Sequence, residues 1–423
     1  MPKIKEVRAR QIIDCKCRPI VEVDIETEDG FVGRGSAPTG SSVGMYEAHV
    51  LRDNVPNEYD GKSVHKAVSN VLQTIRPAII GMNARDQSKI DQIMIELDGT
   101  PNKKNLGGNA IYSVSIACLR AAAAAEGVPV YKYLCGRDIK TVPVPSFNII
   151  NGGRYGDMVQ AFNEFLIVPY KAKSIEVAVE IAVKCFHQLE HVITDYQNAP
   201  PIIASSYGWA SPSNDPEIIL ELISKAVEKC GYKNEVAFAL DCASSEMYDA
   251  KTNTYFLKGK QVSAAEQIDY LKKLTEKFQM VFLEDILDEN DWDNYVLASK
   301  NISKSIIIGD DLIASDPEKI KRAFEMKAAS GFILKPNQIG TITEALKTHE
   351  FAKEHDMFSI TSGRSGGVVD DIVMDLAVGL ELGFIKNGAP RSGERIDKLN
   401  FLLRASDLSP SCKMADITSI VKF

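Results

Sequence analysis

An α/β chain, with a closed βα barrel following a smaller α+β domain, is the fold class this sequence predicts, and three observations point to it. Six short apolar runs end in or beside polar residues: Val236–Asp241, Met280–Glu284, Ser305–Asp310, Ser330–Lys335, Met357–Thr361 and Gly383–Lys386. Their ends are regularly spaced. Asp241, Glu284, Asp310 and Lys335 follow one another at 43, 26 and 25 residues, and Gly363 and Lys386 come 28 and 23 further on. Roughly 25 residues accommodates a strand, a helix and two loops, and a strand apolar on both faces belongs in a parallel sheet covered by helices. Finally, 423 residues exceed one ordinary domain and suit a barrel of ~250 residues with a companion.

Taken in order, residues 3–36 predict an antiparallel meander. Ile20–Glu28 alternates apolar and polar residues, and Asp29-Gly30 is a hairpin signal. The small, polar segment 37–47, with Gly40 and Gly44 and the hydroxyls of Thr39, Ser41 and Ser42, predicts a mobile loop able to close over an anion or a metal; most such stretches are simple turns. Helical patterns follow at 64–85, 86–97 and 109–126, so residues 1–136 form the α+β domain. The barrel domain spans 142–423. It is entered through Phe147–Tyr155 and then Asn163-Glu164 within an apolar run, with amphipathic helices at 174–195 and 216–230 and a polar aromatic loop at 205–215 between them.

Composition narrows the function classes. Hydrophobic residues at 45% and charged residues at 25% are those of a soluble globular protein. The net charge of −8 argues against general affinity for nucleic acid or membrane, although a locally basic site can still take an anion. The eight cysteines are scattered and form no zinc pattern, and no signal-peptide core or membrane-length apolar stretch is present, so a cytoplasmic location is expected.

Charges at the C-terminal ends of barrel strands converge on one mouth, where such folds carry their chemistry. A strand-end carboxylate can instead cap the next helix; three of them with two lysines favour a site. Asp241, Glu284 and Asp310 offer hard oxygen ligands suited to Mg²⁺. Lys335 on the next strand suits a base, taking a proton alpha to a carboxylate while the cation stabilises the enolate; the rival reading is that the lysines only neutralise the carboxylates. Arg364-Ser365 adds a cationic, hydroxyl-bearing site for a phosphate.

The chain resembles the enolases from residue 3 to about 404. The resemblance is carried by Gly-Ser-Ser-Val-Gly-Met-Tyr-Glu-Ala in the early loop, Pro-Val-Pro-Ser-Phe-Asn-Ile-Ile-Asn-Gly-Gly at barrel entry and Leu-Lys-Pro-Asn-Gln-Ile-Gly-Thr around Lys335. Ile-Lys-Asn-Gly-Ala-Pro-Arg-Ser-Gly-Glu-Arg and Lys398-Leu-Asn-Phe-Leu-Leu-Arg404 complete it. It implies a barrel opening ββαα, an N-terminal capping domain, and a homodimer or ring of dimers. It also implies a magnesium-dependent lyase acting on a small phosphorylated carboxylic acid, a mechanism already familiar for the superfamily. Position by position it implies metal ligands at Asp241, Glu284, Asp310 and Ser42, the base at Lys335, the carboxylate-neutralising lysine at Lys386, phosphate contacts at Arg364 and Ser365, and one acid for the leaving hydroxyl at Glu164.

Three positions depart from the family pattern. Ser206-Tyr207-Gly208-Trp209 stands where a second catalytic glutamate is expected, Gly363 where a histidine precedes Arg-Ser, and Arg154-Tyr155 where another histidine lies. All three belong to the side expected to hold the leaving group. Tyr155 and Tyr207 are therefore substrate-side candidates, and an unperturbed tyrosine near ~10 is a poor substitute for a carboxylic acid. The leading expectation is accordingly a divergent enolase-type lyase on 2-phosphoglycerate or a phospho- or phosphono-analogue. An authentic phosphopyruvate hydratase and a non-catalytic binding protein are the alternatives.

Overall fold

The computed structural model describes residues 1–40 and 44–423. Strands β1 (Ile4–Ile13), β2 (Pro19–Thr27) and β3 (Val32–Ser36) form the antiparallel meander, turned at Gly30, whose φ of 84° is the left-handed conformation that favours glycine. The alternation expected in β2 does not become alternating burial. Ile20, Val21, Val23 and Ile25 are buried, but so is Asp24, because Arg10 of β1 and Arg34 of β3 cover the acidic face and pair with it. Helices α1 (Gln87–Asp98) and α2 (Gly108–Ala125) pack behind the meander. A Cβ on Gly33 or Gly35 would lie 2.1 Å from the carbonyls of Ala117 or Ser113, so the small-residue run of α2 and these two glycines allow each other's approach. The pattern at 64–85 breaks at Ile79. Pro77 lacks the N–H that continues a helix, and the turn before it, Val71–Ile75, is π-helical.

Eight strands close the barrel: β4 (Val144–Tyr155), β5 (Met158–Val168), β6 (Ala237–Asp241), β7 (Met280–Glu284), β8 (Ile306–Gly309), β9 (Gly331–Leu334), β10 (Phe358–Ser362) and β11 (Phe384–Lys386). Each pairs with the next, and β11 returns to β4. β5 runs antiparallel to both neighbours and the other pairings are parallel. Helices α3 (Ile175–Gln197) and α4 (Pro216–Lys229) follow β5 together, giving the ββαα opening. Thereafter α5 (Ala264–Lys277), α6 (Trp292–Asn301), α7 (Pro317–Met326), α8 (Ile342–Glu354), α9 (Val373–Gly379) and α10 (Gly393–Asp407) alternate with strands. The long 43-residue step is explained by a small sheet, Tyr248–Asp249, Thr254–Leu257 and Lys260–Val262, inserted before α5.

One buried cluster draws on all eight strands, among them Val144, Leu166, Ala239, Ile308, Ile333 and Ile360, and on no helix; it fills the barrel interior. A larger cluster joins the outer strand faces to the helices. Burial on both faces explains why these strands read as continuous apolar runs.

Candidate active site

At the mouth, register brings the strand ends to one level. Asp241 pairs with Glu284 on β7 and with Glu164 on the reversed strand β5, so a residue in mid-strand by sequence reaches the same rim. Lys335 leaves β9 with its N–H on the Ser315 hydroxyl (2.8 Å) and Pro336 behind it, which restricts it to extended backbone.

Lys386 is the hub of one half. Its Nζ lies 2.6 Å from Glu284 Oε2, 3.0 Å from Asp241 Oδ2 and 3.3 Å from Glu164 Oε2, with its side chain 5% exposed. Burial opposes its charge, but Asp241, Glu284 and Glu164 outweigh burial and hold the ammonium well above its ordinary pKa. Glu164 is held from the other side by Asn148 Nδ2 at 3.0 Å. Lys335 pairs with Asp310, whose second oxygen accepts from Gln338 Nε2 at 2.9 Å. Burial disfavours charge on both; their attraction prevails, raising Lys335 and lowering Asp310. The Arg364 guanidinium forms a fork with Glu47, at 2.7 and 3.1 Å, pinning the described end of the early loop across the mouth. Its other described end is fixed by Arg18, which donates to the carbonyls of Thr39 (2.8 Å) and Gly40 (3.0 Å). Ser42 lies outside the described residues.

Two acids escaped the sequence reading. Asp285 and Asp311 each follow a predicted ligand, and with Asp310 they place carboxylate oxygens within 4.8 Å of one another. Asp285 accepts the backbone N–H groups of Asp310 and Asp311, both at 2.8 Å. Burial and then the Asp310 charge push Asp285 up to about 7 and Asp311 up to about 9. Burial likewise raises Glu284 and Asp241, and Glu284 Oε1 is buried without a hydrogen-bond partner. Six acids and four cationic side chains line the cavity, so with every acid ionised two negative charges would lack a counterpart, an excess that the raised Asp285 and Asp311 relieve by holding protons. Hard oxygen donors, an orphaned buried carboxylate oxygen and this excess of negative charge fit a divalent cation.

Tyr155 and Tyr207 are not among the residues lining this cavity. The Tyr155 hydroxyl donates to the carbonyls of Asn151 (3.1 Å) and Gly152 (2.9 Å), and burial pushes it up to about 12. The Tyr207 hydroxyl donates to Cys15 O at 3.3 Å, and burial and then the Cys15 side chain also push it to about 12. Gly363 does line the cavity, and the space for a side chain there is taken: a Cβ would sit 1.9 Å from Lys398 Nζ, which pairs with buried Asp371 at 3.1 Å. Ser365 lines the cavity with Arg364, and so does Arg395, which the strand-end pattern does not reach.

Residues 139–419 match the family model "Enolase, C-terminal TIM barrel domain" and residues 4–134 match "Enolase, N-terminal domain". The chain belongs to the enolase family. It is 41% identical over 411 residues to an enolase of Methanopyrus kandleri, covering 96% of each chain. It is also 41% identical over 403 residues to an enolase of Methanocaldococcus jannaschii, covering 95% of this chain and 94% of that one. The protein is thus an enolase-type lyase, and its cluster of acidic groups is of the kind that binds a metal ion.

Proposed function

We propose that this enolase-family chain is a phosphopyruvate hydratase, interconverting 2-phosphoglycerate and phosphoenolpyruvate. The observation that carries this reading is the pairing of two buried lysines, at the exits of β9 and β11, with a carboxylate cluster beside Arg364 and Ser365. The likeness to named enolases over almost the whole chain favours it over the divergent substrate expected from the sequence.

Arg364 and Ser365 take the substrate phosphate, and Lys386 neutralises its carboxylate. Asp241, Glu284 and Asp310, with Asp285 and Asp311 adjoining and Ser42 on the loop, would hold Mg²⁺. Bound there, Mg²⁺ would supply positive charge against the second negative charge that develops on the substrate carboxylate. Lys335, once Asp310 no longer claims its proton, removes the C2 hydrogen. Glu164, held between Asn148 and Lys386, gives a proton to the departing hydroxyl.

A divergent substrate is the second reading, and one observation favours it: the hydroxyls of Tyr155 and Tyr207 are committed to backbone carbonyls and Gly363 carries no side chain. Rapid formation of phosphoenolpyruvate from 2-phosphoglycerate with Mg²⁺ supports the hydratase. Exchange of the C2 hydrogen with deuterated solvent, unaccompanied by phosphoenolpyruvate, would select the second reading instead. A homodimer or ring of dimers and a reducing, cytosolic setting are the proposed context. The eight cysteines are free, and among the described residues no helix is long and apolar enough to cross a membrane.

A further inference from the structure

Arg395 stands in the first turn of α10, 6% exposed, yet it lines the cavity. It reaches in over Gly388: its Nη1 lies 2.0 Å from where a Cβ on that residue would sit, so a side chain there would displace it. Among the described residues its one hydrogen bond is from Nε to Glu394 Oε1, at 3.3 Å. A guanidinium carries five N–H donors, and the four on its terminal nitrogens have no such partner. The other lining cations differ. Lys335 is held by Asp310, Lys386 by three carboxylates and Arg364 by the fork of Glu47.

Its position is informative. Glu394, the Arg395 partner, lies by Cys15, whose carbonyl accepts the Tyr207 hydroxyl. Lys398, one helical turn on, fills the space at Gly363. The Gly388 carbonyl accepts the Asn148 N–H (3.2 Å), and the Asn148 side chain holds Glu164. Arg395 therefore sits among the positions that depart from the family pattern, and it lines the same cavity as the remaining acid, to which Gly388 and Asn148 connect it.

We propose that Arg395 is a catalytic residue that stabilises the leaving oxygen, a role that rests on the hydratase reading above. As the C3–O bond breaks, the electron pair left at C2 closes the C2=C3 double bond and the oxygen departs with the C3–O pair. That oxygen takes its proton from Glu164. Arg395 keeps its own protons and donates two N–H bonds to the oxygen while negative charge grows on it. Donors aimed at developing charge raise the rate without passing a proton.

The test measures two rates on one sample of 2-phosphoglycerate with Mg²⁺ in deuterated water: C2 hydrogen exchange and phosphoenolpyruvate formation. R395Q is expected to slow phosphoenolpyruvate formation about 10²- to 10³-fold, the loss typical of one such donor group, while C2 exchange persists and reports a folded, metal-loaded site. R395K, which keeps the charge but not the planar fork, falls between. Both rates falling together in R395K and R395Q would assign Arg395 to ground-state binding or structure and overturn the proposal; so would an unchanged ratio of the two rates. A wild type that exchanges C2 hydrogen but forms no phosphoenolpyruvate overturns the hydratase reading and this role with it, an outcome distinct from an active wild type whose variants leave the ratio unmoved.

Discussion

On the wall of the mouth built by β6, β7, β8, β9 and β11, ionised side chains are buried against opposite charges, whereas the side lined by Gly363 and Arg395 has fewer matched charges, and the hydroxyls of Tyr155 and Tyr207, outside the lining, are spent on backbone carbonyls. Lys386 alone touches three carboxylates, and Lys335 is matched to Asp310. On the other side a glycine leaves its place to Lys398 and Arg395 has donors to spare. On the proposed reading the first wall takes a proton and bears the resulting charge, and the second offers one acid, Glu164, and an arginine for the oxygen that leaves, so the two halves of the reaction should be separable by mutation.

The largest effect should come from the first wall. Lys335→Ala is expected to slow C2 hydrogen exchange about 10²- to 10⁴-fold, the usual worth of a positioned base, while magnesium titration by calorimetry still shows binding. Exchange at the wild-type rate would remove Lys335 as the base. The glycine gap is tested by stability. Gly363→Ala places a methyl against Lys398 Nζ and should cost about 1–3 kcal/mol in urea unfolding, as overpacking does. In a Lys398→Met, Asp371→Asn background, where the ammonium and its buried partner are both neutralised, most of that cost should disappear. Equal costs in both backgrounds would mean that Lys398 does not fill the gap. Restoring a histidine at 363 alone therefore meets the same collision.

The metal prediction has a defined pH dependence. Asp285 and Asp311, raised to about 7 and about 9, must lose protons to ligate a cation, so magnesium affinity should increase from pH ~6 to ~9 with proton release on binding. Calorimetry in buffers of different ionisation enthalpy measures that release; affinity independent of pH would exclude both acids from the site. At a magnesium concentration 100 times its dissociation constant, folding should gain about 2.7 kcal/mol. The smallest effect is expected at Tyr207→Phe, which deletes one hydrogen bond to Cys15 O. It should cost about 0.5–1.5 kcal/mol of stability and leave kcat for phosphoenolpyruvate formation unchanged; a large fall in kcat would give that hydroxyl a chemical task.

Strand exits were legible because their apolar runs recur with the period of a βα unit, as a buried parallel sheet imposes, and end in a charge, as a site at the barrel mouth requires. Asp285, Asp311 and Arg395 were not. The first two stand one residue beyond the expected ligand, Asp285 in a left-handed turn (φ 44°), and Arg395 enters from a helix, outside the strand-end pattern. The Glu47–Arg364 fork joins residues 317 apart, and nothing in local sequence announces it. β2 misled in the opposite sense: its polar residues alternate as on an open face, but arginines from both neighbouring strands cover Asp24.

The central claim is that Lys335 and the carboxylate wall take the C2 proton of 2-phosphoglycerate and that the other side then releases the C3 hydroxyl as water. Proton NMR of 2-phosphoglycerate in deuterated buffer with Mg²⁺, following the C2 signal and the vinyl signals of phosphoenolpyruvate together, tests it most directly. The account predicts that both processes occur with the wild type and that both are lost in Lys335→Ala. Tight binding of magnesium and 2-phosphoglycerate by the wild type, with neither exchange nor phosphoenolpyruvate, would contradict it.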